Sequence, residues 1–434
     1  MRSLMLRAAL PLALLAPVGA EARYVGVYDY PFVSALAATV AATPPANRAP
    51  LLPEERLAEI AETRYLRVFP ARAVPPVFWF FERGMPYTVL KQPNRRAPLF
   101  FLIGGTGAGH DSAKSLRLAN ILYRAGYHVV SLPNPTHTSF IVTASAESVP
   151  GRLEADARDL YRVMGLIDDE LRDEIEVSGY EVGGYSLGGT HSAFVSYIDE
   201  QAKRFRFRKA VVINPSVSLY NSANLLDRMF DRHLGTDPAS VTRFVDQLFQ
   251  QVVALYSVNT NVDFTDTGSL YRAYTILQPA ERELELLIGL AFRLTSTDMS
   301  FASDVMTNAG YVVPKNAALT ATTSLTNVLL AGLRLNFVDY FDDVYIPYYR
   351  QRQPGVTRDE LIARASLRRI EPYLRSSGRV VMLGTEDDVI LAPGEVAWLE
   401  DVFGERARIF PTGGHCGSID QREFVAAMFE LLAS

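Results

Sequence analysis

Cysteine is almost absent from this sequence, since Cys416 is the only one in 434 residues. A single cysteine excludes an intramolecular disulfide and any metal site built from several thiolates. The fold must therefore be stable without covalent cross-links. Cys416 follows His415, but it does not stand at a nucleophile elbow, and we expect it to pack as a small residue under the turn that carries His415.

An excess of positive charge is also lacking. The chain has 43 Lys and Arg against 48 Asp and Glu, a formal net charge of −5, so we expect no basic surface for nucleic acid. Hydrophobic residues at 48% and charged residues at 21% are typical of an ordinary globular protein. The sequence leaves the oligomeric state open.

The N-terminus has an apolar run, residues 8–18, that is shorter than the roughly 20 residues a membrane-spanning helix needs. Two arginines precede this run, and Ala20-Glu21-Ala22 behind it has the form of a signal peptidase site. We expect residues 1–22 to be a signal peptide, cleaved after Ala22, and the protein to be periplasmic or secreted with no stable membrane span. A retained anchor is the alternative.

Buried strands alternate with helices through much of the chain. Residues 98–103 are apolar throughout, as in a central strand buried on both faces, and a helix to about 125 and a strand at 127–132 complete a βαβ unit. Similar strands are predicted at 209–214, 379–384 and 407–410. The fold class is therefore α/β, with a mostly parallel sheet flanked by helices on both faces.

The regions flanking this alternation have other patterns. Residues 77–81 and 86–90 are rich in β-forming residues, which predicts an antiparallel strand pair at a sheet edge. The long segment 216–375 is predicted to be mainly helical, with one helix through Phe244 and Tyr256 and another at 281–294. A separate helical domain is one interpretation. We favour a lid, because ligands bind at the carboxyl edge of open α/β sheets.

Gly184, Ser186 and Gly188 form a G-x-S-x-G motif between a predicted strand and a predicted helix. The glycines allow a turn tight enough to expose the serine hydroxyl, and the helix N-terminus faces any oxyanion that forms. The motif predicts a nucleophile elbow. An upstream loop, residues 104–109, lacks the Lys-Ser/Thr pair of a P-loop and the spacing of a dinucleotide-binding motif.

Two further chemical groups follow predicted strands near the C-terminus: the acids Asp387 and Asp388, and His415. The carboxyl ends of parallel strands meet at one edge, so both could approach Ser186 there. The order Ser, Asp, His, with a Gly-rich loop upstream, resembles the α/β-hydrolase family. The resemblance covers residues 97–214 and 376–434.

The resemblance implies a catalytic triad of Ser186, Asp387 and His415, with the acid chosen for its spacing from the end of its strand. Asp388 is the alternative acid. The backbone N–H groups of Leu187 and Thr106 would form the oxyanion hole. Gly105 and Gly107 are the alternatives to Thr106, because Gly104 replaces a family histidine in the upstream loop. His110 in that loop is predicted to cap the next helix, and His191 to be a packed or surface residue.

A triad of this kind performs acyl transfer without a cofactor or a metal. We expect the substrate to be a small-molecule acyl ester with an apolar acyl group, bound against apolar residues of the insertion. A peptidase or amidase, or a non-catalytic binding scaffold, is the alternative. We expect a signal peptide at residues 1–22 and an N-terminal extension with edge strands at 23–96. The first part of the core follows at 97–215, the helical lid at 216–375 and the second part of the core at 376–434.

Overall fold

The structure is a computed structural model that describes residues 23–24, 28–234, 239–240, 243, 250 and 267–434. The expected signal peptide, residues 1–22, lies outside these ranges. So do Phe244 and Tyr256 of the helix predicted early in the insertion. Among the helices in the described ranges, none combines the length and apolar character needed to cross a membrane.

Nine strands of the described residues form one sheet in the order β1-β9-β8-β7-β6-β4-β5-β3-β2. All neighbours pair in parallel except β3, which runs antiparallel to both β5 and β2. The fold is therefore the mostly parallel α/β sheet expected from the alternation. The strands are β1 Arg23–Tyr24, β2 Ala61–Leu66, β3 Met85–Leu90, β4 Arg96–Ile103, β5 His128–Leu132, β6 Glu176–Tyr185, β7 Lys209–Ile213, β8 Val380–Thr385 and β9 Ala407–Phe410.

Helices cover both faces of the sheet and make up most of the described part of the connection between β7 and β8. Those outside that connection are α1 Ala35–Ala41, α2 Glu54–Ile60, α3 Ala113–Arg124, α4 Thr138–Thr143, α5 Leu153–Leu171, α6 Leu187–Ala202, α15 Glu395–Phe403 and α16 Arg422–Ala433. Those inside it are α7 Leu219–Leu234, α8 Thr267–Leu277, α9 Glu281–Thr307, α10 Thr326–Gly332, α11 Phe337–Tyr340, α12 Ile346–Arg352, α13 Arg358–Arg364 and α14 Glu371–Ser376. A π-helical turn, Phe341–Tyr345, joins α11 to α12.

The central strand β4 is buried on both faces, as its uninterrupted apolar sequence predicts. Phe100 and Leu102 pack in the hydrophobic cluster on one side of the sheet, while Phe101 and Ile103 pack in the larger cluster on the other. Alternation of side chains along a strand places consecutive residues on opposite faces. Burial of both faces holds the carboxyl end of β4 in a fixed position between β5 and β6.

The prediction of a strand at residues 77–81 is wrong. These residues form the 3₁₀-helix Pro76–Phe81, and the antiparallel partner of β3 is β2 instead. Pro75 and Pro76 explain the difference, since two fixed φ angles and two missing N–H groups favour the start of a helical turn over a place in a ladder. Strong β propensity in the aromatic run did not overcome this local constraint.

The described helices between β7 and β8 pack against the main core and are also tied to one another. Tyr340, Phe341 and Tyr345 are buried in the larger cluster beside the sheet, so this part of the insertion shares the main core. Arg293 of α9 is fully buried and bonds Asp227 and Asp231 of α7 and the carbonyl of Leu333. The charged cluster ties α7 to α9, since a buried guanidinium is stable only when it is fully paired.

Candidate active site

The turn at Ser186 is a tight, strained connection between β6 and α6. Ser186 has φ 57° and ψ −131°, a conformation rare for a residue with a side chain. A Cβ on Gly184 would lie 2.5 Å from the carbonyl oxygen of Ile103, and one on Gly188 would lie 2.3 Å from the same atom. Both glycines of the motif are therefore required by close backbone packing between the elbow and β4.

The histidine turn follows β9 and is equally close-packed. Gly413 and Gly414 have φ of 143° and 56°, and a Cβ on Gly414 would lie 2.3 Å from the carbonyl oxygen of Ala35. The N–H of His415 donates to the hydroxyl of Thr39 at 2.9 Å. Helix α1 thus supports the histidine turn through Thr39, a role that its sequence did not indicate.

Ser186, His415 and Asp388 form a hydrogen-bonded chain. The hydroxyl oxygen of Ser186 lies 2.8 Å from Nε2 of His415. On the other side of the ring, Nδ1 lies 2.9 Å from Oδ1 and 3.1 Å from Oδ2 of Asp388. Serine, base and orienting acid therefore stand in the geometry of a nucleophilic triad.

The structure corrects the predicted acid. Asp387 does not contact the imidazole, because its carboxylate accepts the N–H groups of Gly414 at 2.9 Å and Gly413 at 3.2 Å. Neighbouring residues in a turn point in different directions, so only one of the two acids can face His415. Asp387 instead holds the backbone of the histidine turn, and burial raises its pKa.

Asp388 is held in place by groups that the sequence analysis missed. Its Oδ2 accepts from the side-chain amide of Asn214 at 2.9 Å, and its Oδ1 accepts from the N–H of Ile390 at 3.1 Å. Asn214 follows β7 directly and has a positive φ of 42°. A polar residue at the end of a buried strand, on the same edge as the elbow, was a usable signal in the sequence.

Two effects oppose each other at His415. Burial alone would lower the pKa of its imidazole, but the Asp388 carboxylate favours the charged ring and raises the pKa. The side chain of Asp388 is only 1% exposed, so water screens this interaction weakly. Asp388 is thus placed both to orient the ring and to stabilise it when it carries a proton.

Two backbone donors border the serine. No acceptor in the described ranges takes the N–H of Leu187, the first residue of α6, or the N–H of Thr106 in the Gly-rich loop. That loop touches the elbow, since a Cβ on Gly105 would lie 3.2 Å from Cβ of Ser186. Both predicted oxyanion donors therefore belong to segments that adjoin Ser186.

The arrangement of these parts decides the fold. The tight turn with Ser186 joins β6 to α6, a Gly-rich loop follows β4, and Asp388 and His415 follow β8 and β9 of one mostly parallel sheet. The chain has the α/β-hydrolase fold. All the site residues lie at the carboxyl ends of neighbouring parallel strands, where such sheets bind ligands.

Comparison with known proteins adds likenesses of shape only. No protein-family model and no curated protein matches the chain. Among solved structures, the chain is similar to a bacterial membrane phospholipase A described as a virulence factor (14% identity, TM-score 0.42, covering 87% of this chain and 91% of that one). It is also similar to a hyperthermophilic esterase from the archaeon Pyrobaculum calidifontis (16%, 0.37, 87% and 87%). A third is a proline iminopeptidase-related protein from Thermus thermophilus (17%, 0.37, 86% and 97%).

The remaining polar candidates lie outside the hydrogen-bonded chain. His110 does not cap α3 as predicted, because its Nδ1 bonds the hydroxyl of Thr88 at 2.6 Å. His191 is fully buried behind the elbow, and Cys416 is buried with its sulfur 3.9 Å from Nε2 of His415. No group of three or more His, Cys, Asp or Glu in the described part of the chain is arranged to hold a metal ion.

A cavity of about 1140 Å³ opens above the serine. Ser186 and His415 line it together with Thr106, and helices of the insertion supply most of its apolar wall. That wall includes Leu226 of α7, Ala273 and Leu277 of α8, and Leu286, Leu287 and Phe292 of α9. A cavity of this volume is large enough for a ligand the size of a typical drug molecule.

The contacts predict that Asp388→Asn is far more damaging than Asp387→Asn. Loss of the charged orienter lowers kcat by about 10⁴-fold in triads of this type. The carboxylate raises the pKa of His415, so its removal leaves the ring neutral to lower pH, and the acid limb of the kcat/KM profile should shift to lower pH. Steady-state kinetics with an activated ester across pH measures both effects.

Asp387→Asn is the matched control for this comparison, since it removes the same charge one residue away. It should reduce kcat much less and leave the acid limb in place, provided that thermal melting shows both variants folded. A larger loss in Asp387→Asn than in Asp388→Asn would show that the observed hydrogen bonds do not identify the acid.

Proposed function

We propose that the protein is a serine hydrolase that acts by acyl transfer, most readily on carboxylic esters with an apolar acyl group. The observation that carries this proposal is the hydrogen-bonded chain Ser186–His415–Asp388 at an apolar cavity. An intact chain of these three groups argues against a non-catalytic scaffold, which has no need of a serine held in a strained turn against an imidazole.

In the proposed mechanism, Nε2 of His415 takes the proton of the Ser186 hydroxyl as its oxygen attacks the ester carbonyl carbon. Negative charge then forms on the carbonyl oxygen, and the N–H groups of Leu187 and Thr106 stabilise it. The imidazolium, stabilised by Asp388, returns its proton to the leaving alcohol as the bond to that oxygen breaks. Water then attacks the acyl-serine by the same route and releases the acid.

The apolar wall supports an ester with an acyl chain as the substrate. Leucine, phenylalanine and alanine side chains bury an acyl group favourably, at about 25 cal/mol per Å² of apolar surface removed from water. A peptidase would need polar groups that fix the backbone or terminus of a peptide. Glu283, one charged residue of this cavity, accepts instead from the N–H of Ala280 at the start of α9. Lys114 and Arg282 also line the cavity, so a peptidase is kept as the second candidate.

We also propose that helices α8 and α9 act as a cover over the site. A Cβ on Gly107 of the oxyanion loop would lie 2.1 Å from Cγ2 of Thr295. Helix α9 therefore rests directly on the loop, and only glycine fits beneath it. This contact supports the interpretation of the insertion as a lid, and the cavity lining shared by Ser186 and α9 supports an acyl group bound against the apolar wall.

The first expected outcome concerns the nucleophile. Ser186→Ala should lower kcat on p-nitrophenyl esters by about 10⁶-fold, as in other enzymes that lose a triad serine, and should abolish labelling by a fluorophosphonate. Ser192→Ala, which removes a buried hydroxyl six residues further along, in α6, should retain both. A panel of esters and peptides then decides the substrate class, because strong peptide turnover without ester turnover would favour the peptidase.

The second expected outcome concerns the cavity wall. Ala273 is nearly buried in α8 and lines the cavity. In Ala273→Phe the added ring should lower the ratio of dodecanoate to acetate ester turnover by at least about tenfold, since pocket contacts of this size discriminate by that much. Ala363→Phe, on the exposed face of α13, should leave the ratio unchanged. An unchanged ratio in Ala273→Phe would place the acyl chain elsewhere.

We further propose export by the signal peptide at residues 1–22, on the basis of its two arginines, its short apolar run and its Ala20-Glu21-Ala22 site. N-terminal sequencing of protein recovered from an exporting cell should find Arg23 as the first residue. Recovery of membrane-bound protein that keeps Met1 would replace export with a retained anchor.

A further inference from the structure

A buried side-chain amide lies behind the Gly-rich loop. Asn134 follows β5, whose carboxyl end adjoins that of β4, and it is 0% exposed. We propose that Asn134 is a positioning residue that holds the Gly-rich loop so that the N–H of Thr106 faces the oxyanion. This inference rests on the proposed acyl-transfer function and adds a residue that does not touch the substrate.

Every hydrogen-bonding position of the Asn134 amide has a partner. Its Nδ2 donates to the carbonyl oxygen of Gly104 at 2.7 Å and lies 3.4 Å from Nδ1 of His191. Its Oδ1 accepts from the N–H of Thr136 at 3.0 Å and from the Thr136 hydroxyl at 2.7 Å. Two acceptors on one side and two donors on the other leave a single orientation of the amide that satisfies all four.

These bonds fix the loop on both sides of Thr106. Upstream, Asn134 holds the carbonyl of Gly104. Downstream, the Thr136 hydroxyl accepts the N–H of Gly107 at 2.8 Å, and the backbone N–H of Asn134 donates to the carbonyl of Ala108 at 2.9 Å. The backbone between these anchors closes a turn by the bond from the N–H of Ala108 to the carbonyl of Gly105 at 3.0 Å.

The same amide contacts the helix that carries the second donor. His191 lies one turn after Leu187 in α6, and its Nε2 is 3.6 Å from Oδ2 of the buried Asp156. Asn134 therefore connects the loop with Thr106 to the helix that begins with Leu187, which sets the spacing of the two proposed donors.

Spacing matters because oxyanion donors act only when they are already in place as charge develops. Removal of one such donor costs about 10²–10³-fold in kcat in enzymes of this kind. Asn134 is fully buried and does not line the cavity. Loss of its side-chain amide should therefore change the placement of an oxyanion donor without changing contacts with the bound substrate. The expected signature is therefore a loss in kcat with little change in KM.

The test compares Asn134→Ala with Asn120→Ala. Asn120 of α3 is also a buried amide; its side chain accepts from the N–H of Leu52 and donates to the carbonyl of Leu52, away from the loop. We expect Asn134→Ala to lower kcat on an activated ester by about 10²-fold with KM nearly unchanged. Its affinity for a trifluoromethyl ketone, which forms a tetrahedral oxyanion with Ser186, should fall by a similar factor. Asn120→Ala should keep both values even if its melting temperature falls.

A second variant covers the case in which Asn134→Ala does not fold. Thr136→Val removes the acceptor for the Gly107 N–H but keeps the shape of the side chain, and it should lower kcat and ketone affinity together by a smaller factor. The inference would be overturned if folded Asn134→Ala kept the wild-type kcat and the wild-type affinity for the ketone. If only Thr136→Val folds, the same result in that variant would overturn it. Equal losses in Asn120→Ala would also overturn it, because they would mark a general effect of losing a buried amide.

The proposed function has its own control in this experiment. Hydrolysis that persists in Ser186→Ala would end the serine mechanism and this inference with it. An enzyme that depends on Ser186 but not on Asn134 would end this inference alone.

Discussion

The close approach of backbone at the elbow is the constraint on which the site depends. Gly184 and Gly188 face the carbonyl oxygen of Ile103 at distances that exclude any Cβ. Ser186 between them takes a strained positive φ, and its N–H is held by the carbonyl of Ile213 at 2.8 Å. Strain of this kind persists only where the surroundings fix it, and here two neighbouring strands, β4 and β7, do so.

The same sheet edge assembles the other groups. Asn134, Asn214, Asp388 and His415 follow β5, β7, β8 and β9, and each reaches a partner that belongs to a different strand or loop. Parallel strands make this possible, because their carboxyl ends converge while their connections pass over the faces of the sheet. The hydrogen bonds between these segments hold the site residues at the fixed distances that the proposed proton transfer and charge stabilisation need.

Segments outside the alternating core complete the site. Helix α1 supports the histidine turn through Thr39, and helix α9 rests on the Gly-rich loop at Gly107. Phe32, ahead of α1, packs edge-on against Tyr274 of α8. The N-terminal segment thus contacts both the turn that holds His415 and a helix of the cavity wall, and it joins two parts of the site that are far apart in sequence.

Much of this protein was readable from its sequence because the signals were local. Uninterrupted apolar runs marked the buried strands, the glycine spacing marked the elbow, and the order of Ser186 and His415 after strands placed both at one edge. Local signals of this kind also misled where short-range sterics opposed them, as at Pro75 and Pro76, where an aromatic run became a 3₁₀-helix.

Tertiary structure alone decided the choice between Asp387 and Asp388. Both follow β8 at nearly the same spacing, and which carboxylate faces the imidazole depends on the path of the Gly413–Gly414 backbone that captures the other. The roles of Thr39, Asn134 and Asn214 were hidden for the same reason, since each depends on a hydrogen bond to a distant segment. Sequence determines which groups are available at the end of each strand, whereas packing determines which of them meet.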